Sequence, residues 1–149
     1  MKVALYRIWQ CTWGFLQTLL GFFTFLLHID DKHYHYHGAI VTEWKSKSSV
    51  SLGMFVFITA EPYFYEKLKE QYTMEMLSSR LLVHEYGHTI QSMVLGPWML
   101  LVGIISVVWG ALPYFERMRR EKKLPYTACF VEAWASKWGE WVTGEKALW

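Results

Sequence analysis

Two long stretches of the chain carry no charged residue, and they constrain the fold more than any other feature of the sequence. The first runs from Ile8 to Ile29, and the second runs from Thr89 to Phe115 with an interruption at Gly96-Pro97. About 20 apolar residues in a helix span the roughly 30 Å hydrocarbon core of a bilayer. Tryptophans stand near one end of the first stretch, where interfacial anchors are common. Both stretches therefore predict the hydrophobic helices of a membrane protein.

Composition and charge distribution favour the same class of protein. Hydrophobic residues make up 53% of the chain and charged residues 19%, with a formal net charge of +2. This is too apolar for a disordered chain and too weakly basic to indicate a nucleic-acid partner. A soluble domain with a buried first helix is the alternative, because Gln10, Gln17 and three threonines dilute the first stretch.

A basic cluster from Arg117 to Lys123 follows the second stretch directly. The positive-inside rule places such a cluster on the cytoplasmic side of a membrane. We therefore expect an integral protein of the cell (inner) membrane, in contact with membrane lipid, whose site lies near the cytoplasmic face. The chain would then turn around at Gly96-Pro97. Lys2 and Arg7 oppose this orientation if the first stretch crosses once, and the sequence leaves the direction of that stretch open.

The segment between the two stretches alternates between apolar and polar residues, which is typical of strands. The alternation covers His33 to Trp44 and Val50 to Ile58, and the polar segment Lys45–Ser49 separates them. It predicts one β-hairpin over residues 33–58.

Glycine and proline positions divide the rest of the chain into three predicted helices. These helices cover residues 75–95, 98–112 and 125–143. The sequence as a whole predicts one membrane-embedded domain over residues 1–149, a mainly α membrane protein with a β-hairpin. Its parts are a hydrophobic helix over 8–29, the hairpin, and a core of three helices.

The first of the three helices carries His84-Glu85-Tyr86-Gly87-His88, an HExxH motif. Histidines four residues apart project from one face of a helix, so both imidazoles can reach one tetrahedral zinc ion. Glu85 is placed to act as general base on a water that the metal activates. The motif lies in an apolar helix, where an unsatisfied histidine pair would be costly. The sequence therefore predicts a zinc site, with His84 and His88 as ligands and room at Gly87 for another helix.

A catalytic zinc site needs a third protein ligand, and no histidine follows His88. Glu132 is the preferred candidate, because it stands on a helix face of small residues that another helix can approach closely. Cys129 on the same face, Glu140 further along, and Asp30 with Asp31 are weaker alternatives, and an upstream histidine stays open. The aromatic stripe on the opposite face of that helix predicts a core contact or an interfacial anchor. Tyr126 and Arg80 are candidates for stabilising an oxyanion.

HExxH followed by a helical Glu-x-x-Ala resembles the gluzincin arrangement of membrane metalloproteases, such as the type I CAAX prenyl proteases and the antibiotic-sensor receptor metalloproteases. The segments from Val50 to Phe57, His84 to Ser92, Leu95 to Pro97 and Glu132 to Ala135 are also similar to a family of small bacterial membrane proteins. This resemblance implies His84, His88 and Glu132 as zinc ligands and Glu85 as base. Ser136 stands where the prenyl proteases often have Asp. The side chain that would support the metal ligands at this position therefore differs from theirs.

The sequence therefore predicts a zinc metalloendopeptidase that cleaves peptides or membrane proteins, with the strand over Val50 to Ile58 presenting the substrate in extended form. Two other classes remain open. One is a metal-handling protein that uses His33, His35 and His37 on one strand face, near His28. The other is an inactive adaptor that keeps zinc as a structural element.

Overall fold

The computed structural model describes residues 2–62 and 65–148 of the chain. The fold is mainly helical, with one small mixed sheet. The elements in chain order are α1 (Val3–Thr12), α2 (Phe15–Leu27), β1 (Lys32–Tyr36), β2 (Ala39–Trp44), β3 (Val50–Leu52), β4 (Phe55–Thr59), α3 (Tyr65–Leu68), α4 (Met74–Leu95), α5 (Met99–Ala111), α6 (Pro113–Glu121) and α7 (Phe130–Thr143), with short 3₁₀ turns at Gly96–Trp98 and Tyr126–Ala128.

The sheet has four strands in the order β1-β2-β4-β3. β1 pairs with β2 and β3 pairs with β4 in antiparallel fashion, whereas β2 and β4 are parallel. The prediction of a single hairpin over 33–58 was therefore wrong, because each of its two halves folds into a hairpin of its own. The reason is local: His37 and Gly38 both have positive φ, 47° and 100°, and Gly53 has a φ of 61°, as two-residue hairpin turns require.

The first apolar stretch does not form one helix over 8–29, as the sequence predicted. It breaks between Thr12 and Phe15, and α1 and α2 meet there at 101°. Both ends of the stretch reach the sheet: Arg7 Nε donates to the carbonyl of Gly38 at 3.1 Å, and α2 leads directly into β1. A straight helix would separate Arg7 from Asp30 by about 35 Å, so the bend is what brings both ends of the stretch to the same sheet.

Buried glutamines hold the broken helix pair against α4. Gln10 Nε2 donates to the carbonyl of Thr89 at 2.8 Å, and Gln17 Nε2 donates to that of Gly96 at 2.6 Å. Ser92 joins the two, because its hydroxyl donates to Gln10 and accepts from Gln17. Gln10, Gln17 and Thr18 therefore face the protein, and most of the large apolar side chains of α2 face outward.

The helical stretch from Met74 to Ala111 is long and apolar enough to cross a membrane by length and composition, and its most apolar window is only 17% buried. The stretch is bent, because Gly96 has a φ of 53°. Tyr126 lies beside His84, with 6.5 Å between ring centroids. The backbone carbonyl of Tyr126 also accepts a hydrogen bond from Trp109 Nε1 at 2.8 Å. A straight helix would separate His84 and Trp109 by about 37 Å, so the chain turns back near Gly96-Pro97.

The ends of the other helices follow local signals. Thr73 caps α4, with its hydroxyl accepting from the amide of Met76 at 3.2 Å. α4 matches the predicted 75–95 and α5 the predicted 98–112 to within one residue at each end. The predicted helix over 125–143 begins only at Phe130, because a 3₁₀ turn occupies Tyr126–Ala128, and α7 ends at Gly144 in the left-handed conformation.

Candidate metal centre

α4 and α7 cross with their backbones almost in contact, and the candidate site forms along this crossing. A Cβ on Gly87 would overlap the carbonyl oxygen of Ala135, and one on Gly139 would overlap that of Val83. Further along, Gln91 bonds the carbonyl of Val131. The two helices are therefore antiparallel, and the small face predicted for α7 is the one that approaches Gly87.

This crossing brings His84, His88 and Glu132 together, all nearly buried at 2%, 8% and 1% exposure. One ligand atom from each lies within 4.8 Å of the others. Glu132 Oε2 is 3.2 Å from His84 Nε2 and 3.5 Å from His88 Nε2. Two ligands of a tetrahedral zinc ion, each about 2.0–2.1 Å from it, stand roughly 3.3 Å apart. The three side chains could therefore hold a metal ion with little movement.

The burial and charge of the Glu132 carboxylate favour a bound cation next to it. Both of its carboxylate oxygens are buried, and neither accepts a hydrogen bond of good geometry from the residues that the structure describes, although the two imidazoles approach Oε2. Burial by itself would raise the pKa of this carboxyl, but the imidazoles of His84 and His88 outweigh that effect and hold the pKa well below its usual range. A buried carboxylate that stays charged and lacks hydrogen bonds is costly unless a cation compensates it.

The far nitrogen of each histidine is supported by a neighbouring side chain. His84 Nδ1 lies 2.9 Å from the hydroxyl of Ser136, and His88 Nδ1 lies 2.7 Å from Oε1 of Gln91. Such contacts fix the imidazole orientation in metal sites and leave Nε2 for the metal. Ser136 thus supports His84 even though it replaces the expected Asp. The spacing of Gln91, three residues after His88 on one helix face, is the only sequence signal for its role.

Glu85 lies beside this group on α4 and is held by the sheet. The hydroxyl of Ser51 on β3 lies 2.6 Å from Glu85 Oε2 and 2.7 Å from the Glu85 carbonyl oxygen, and it can donate to either. Glu85 is 6% exposed. Sequence reasoning placed Ser51 in a strand but did not connect it with the HExxH helix, because the two residues are 34 positions apart.

The alternative third ligands lie elsewhere in the described chain. Cys129 packs with Trp109 and Val131 in a small apolar cluster, and Glu140 accepts from the amide of Ala147 at 3.1 Å. Asp31 pairs with His28 at 2.8 Å in the turn between α2 and β1. None of these three residues belongs to the group of converging ligand atoms found among the described residues, whereas Glu132 does.

The three strand histidines have separate partners instead of one centre. His33 contacts the hydroxyl of Thr42 at 3.0 Å, His35 contacts Arg7 at 3.3 Å, and His37 lies 3.8 Å from Glu145. His37 also leaves the strand face, because it stands in the hairpin turn. The described residues therefore do not assemble the strand histidines into a metal site.

The two candidates for oxyanion stabilisation differ in position. The Arg80 guanidinium lies over the ring of Tyr72, 5.0 Å from its centroid. Tyr126 packs against His84, and the Arg119 guanidinium lies 5.5 Å from the centroid of the Tyr126 ring. Of the two, only Tyr126 has a described contact with a residue of the candidate centre.

Comparison with protein-family models, with curated proteins and with solved structures finds no match to this chain. Its class therefore rests on the fold and the site alone. It is a mainly helical protein with a small mixed sheet and one buried group of two histidines and a glutamate that could hold a metal ion.

Proposed function

We propose that this protein is a membrane-associated zinc metalloprotease of the gluzincin type. The observation that carries the proposal is the convergence of His84, His88 and Glu132 on one point, with Glu85 beside them on the same helix. Two imidazoles and one carboxylate are a ligand set that zinc favours in catalytic sites. His84, His88 and Glu132 would hold the ion.

When bound, the zinc ion would polarise a scissile carbonyl and lower the pKa of a water molecule. Glu85 takes the proton from the attacking water and delivers it to the leaving amine. Ser51 holds the Glu85 carboxylate at 2.6 Å and restricts its rotamers. Tyr126, beside His84, is the candidate for stabilising the oxyanion. Burial of the site limits competing access of bulk water.

The segment over Val50 to Ile58, which the sequence predicted to present the substrate, forms two strands, β3 and β4, and only one of them lies at an edge of the sheet. β4 is a central, fully buried strand, so it has no edge for a substrate. β3 is the terminal strand, and none of the described strands pairs with its outer side. An extended peptide that pairs with β3 would lie next to Ser51 and thus near Glu85. We therefore assign substrate presentation to Val50–Leu52.

Exposed apolar side chains on four helices and on the turn before α5 support membrane association. α2 and α5 expose most of their large hydrophobic residues, and tryptophans are exposed on α1, α7 and the turn before α5. These residues include Trp9, Trp13, Phe23, Leu27, Trp98, Leu101, Ile104, Val107, Trp134 and Trp141. Apolar surface of this extent is unusual on a soluble monomer, and exposed tryptophan is typical of membrane interfaces. The aromatic stripe of α7 serves as an interfacial anchor in this proposal.

The test combines metal analysis with proteolysis. Detergent-purified wild type is expected to hold about one zinc per chain, and cells that produce it are expected to contain new protein amino termini in the membrane fraction. The variant Glu85→Gln should keep the zinc and lose those amino termini, because it retains the ligands and lacks the base. Zinc in both proteins with identical amino termini would instead support the inactive adaptor, and wild type without any metal would exclude both.

A further inference from the structure

Gln91 links the two helices that carry the candidate ligands, and it does so with both ends of one side chain. It is fully buried. Its Nε2 donates to the carbonyl of Val131 on α7 at 2.7 Å, and its Oε1 lies 2.7 Å from His88 Nδ1 on α4. Val131 directly precedes Glu132, so Gln91 contacts one ligand and the backbone next to another.

The chemistry of these partners fixes the orientation of the amide. A backbone carbonyl only accepts hydrogen bonds, so the NH₂ end of Gln91 must face Val131. The carbonyl end must then face His88, and it can only accept. His88 therefore carries a proton on Nδ1, which leaves the lone pair of its Nε2 directed toward Glu132 when the imidazole is neutral.

We propose that Gln91 is a positioning residue through which the Val131 carbonyl of α7 sets the tautomer of His88 on α4. The inference rests on the proposed metal site, and it adds that the position of α7 and the protonation of His88 are coupled through Gln91. Docking of α7 supplies Glu132 and, through Gln91, also prepares His88. Loss of the Gln91 side chain would remove its contacts with His88 and with the Val131 carbonyl, while the chain keeps all three ligands. Removal of such supporting hydrogen bonds typically weakens metal binding by about 10- to 100-fold.

The experiment compares three variants of the full chain in detergent, with zinc affinity measured by competition against a chelator. Gln91→Met keeps the side-chain length and removes both hydrogen bonds. Gln91→Glu keeps an acceptor for His88 Nδ1 and loses the donor to Val131. Gln10→Met is the matched control. Gln10 is also fully buried and also donates to a backbone carbonyl, in its case that of Thr89 on α4, but it does not contact a ligand side chain.

We expect Gln91→Met to weaken zinc binding by about 10- to 100-fold, Gln91→Glu to recover part of that loss, and Gln10→Met to stay within about twofold of wild type. The visible spectrum of the cobalt-substituted protein should change in Gln91→Met and not in Gln10→Met. Nitrogen-15 NMR of the zinc-loaded wild type should show His88 with a proton on Nδ1 and the metal on Nε2.

Zinc affinity of Gln91→Met within about twofold of wild type would overturn the inference and leave the proposed function intact. An equal loss in Gln10→Met, or His88 bound through Nδ1, would also overturn it. Wild type that binds no zinc would instead defeat the proposed function on which the inference depends.

Discussion

Gly87 on α4 faces the carbonyl oxygen of Ala135 on α7, with no room for a methyl group between them. This contact sets the distance between the helix that carries His84 and His88 and the helix that carries Glu132. The three ligands meet only because the two backbones approach this closely. Gly87 is thus as much a part of the site as the ligands on either side of it in the motif.

Gly87→Ala should therefore separate α4 from α7 and abolish stable metal binding. Overpacking of a tight contact costs about 1–3 kcal/mol, so the melting temperature should fall as well. Zinc per chain and thermal unfolding in detergent measure the two effects. Gly103→Ala is the control, because a Cβ at Gly103 on α5 meets nothing within 4 Å. Unchanged zinc in Gly87→Ala would contradict the packing that the structure describes.

Glu132→Gln should lose the metal although it preserves the size of the side chain. The neutral amide removes the charged ligand that the two imidazoles face at 3.2 and 3.5 Å. Zinc per chain after dialysis measures the effect. Glu140→Gln, on the same helix and outside the ligand group, should retain the wild-type content. If Glu132→Gln also retained it, the third ligand would have to be another residue.

Ser136→Ala should weaken zinc binding by about tenfold and leave the fold intact, since it removes the hydroxyl 2.9 Å from His84 Nδ1 and creates little space. Competition with a chelator gives the affinity. Ser106→Ala, in the apolar helix α5, serves as the control for loss of a serine hydroxyl. An affinity equal to that of wild type would mean that Ser136 does not orient His84.

Ser51→Ala should leave zinc binding unchanged and slow proteolysis. The hydroxyl of Ser51 is 2.6 Å from the Glu85 carboxylate and holds it in place, and a misplaced catalytic group can cost up to about 100-fold in rate. The rate of appearance of the new amino termini in cells measures this loss. A variant that loses zinc together with activity would show that Ser51 supports the metal group and not the base.

Under the proposed membrane association, Lys2 and Lys47 should lie on the same side of the bilayer, because α1 and α2 bend by 101° and both ends of the pair reach the sheet. Lys2→Cys and Lys47→Cys, made in a chain whose Cys11 is replaced by Ser, should react with an impermeant maleimide in the same vesicle orientation. Labelling from opposite sides would mean that the first apolar stretch crosses the bilayer once.

Much of the candidate site could be predicted from the sequence, because its signals are local. The spacing of His84 and His88 on a helix, and the small face around Glu132, follow from helical periodicity alone. Helix ends at Gly96 and Gly144 follow from the backbone freedom of glycine. α4 ends at Gly96 and α5 lies between Pro97 and Pro113, so both helices are close to their predicted bounds.

The errors came from positions where a local pattern had more than one tertiary outcome. Alternation over 33–44 and 50–58 predicts strands but does not state where a strand reverses. The turns at His37–Gly38 and Gly53 split one expected hairpin into two. The uncharged run over 8–29 predicts a hydrophobic helix, but the hydrogen bonds of Gln10 and Gln17 to α4 hold it in two pieces.

The sequence by itself determined the ligand types, their helical spacing and the apolar character of the surrounding helices. Only the tertiary structure decided that Ser51 holds Glu85, that Gln91 joins His88 to α7, and that the strand histidines stay apart. The physical reason is the range of the interactions. Periodicity and backbone preference act over a few residues, whereas each of these side-chain contacts depends on how distant segments pack.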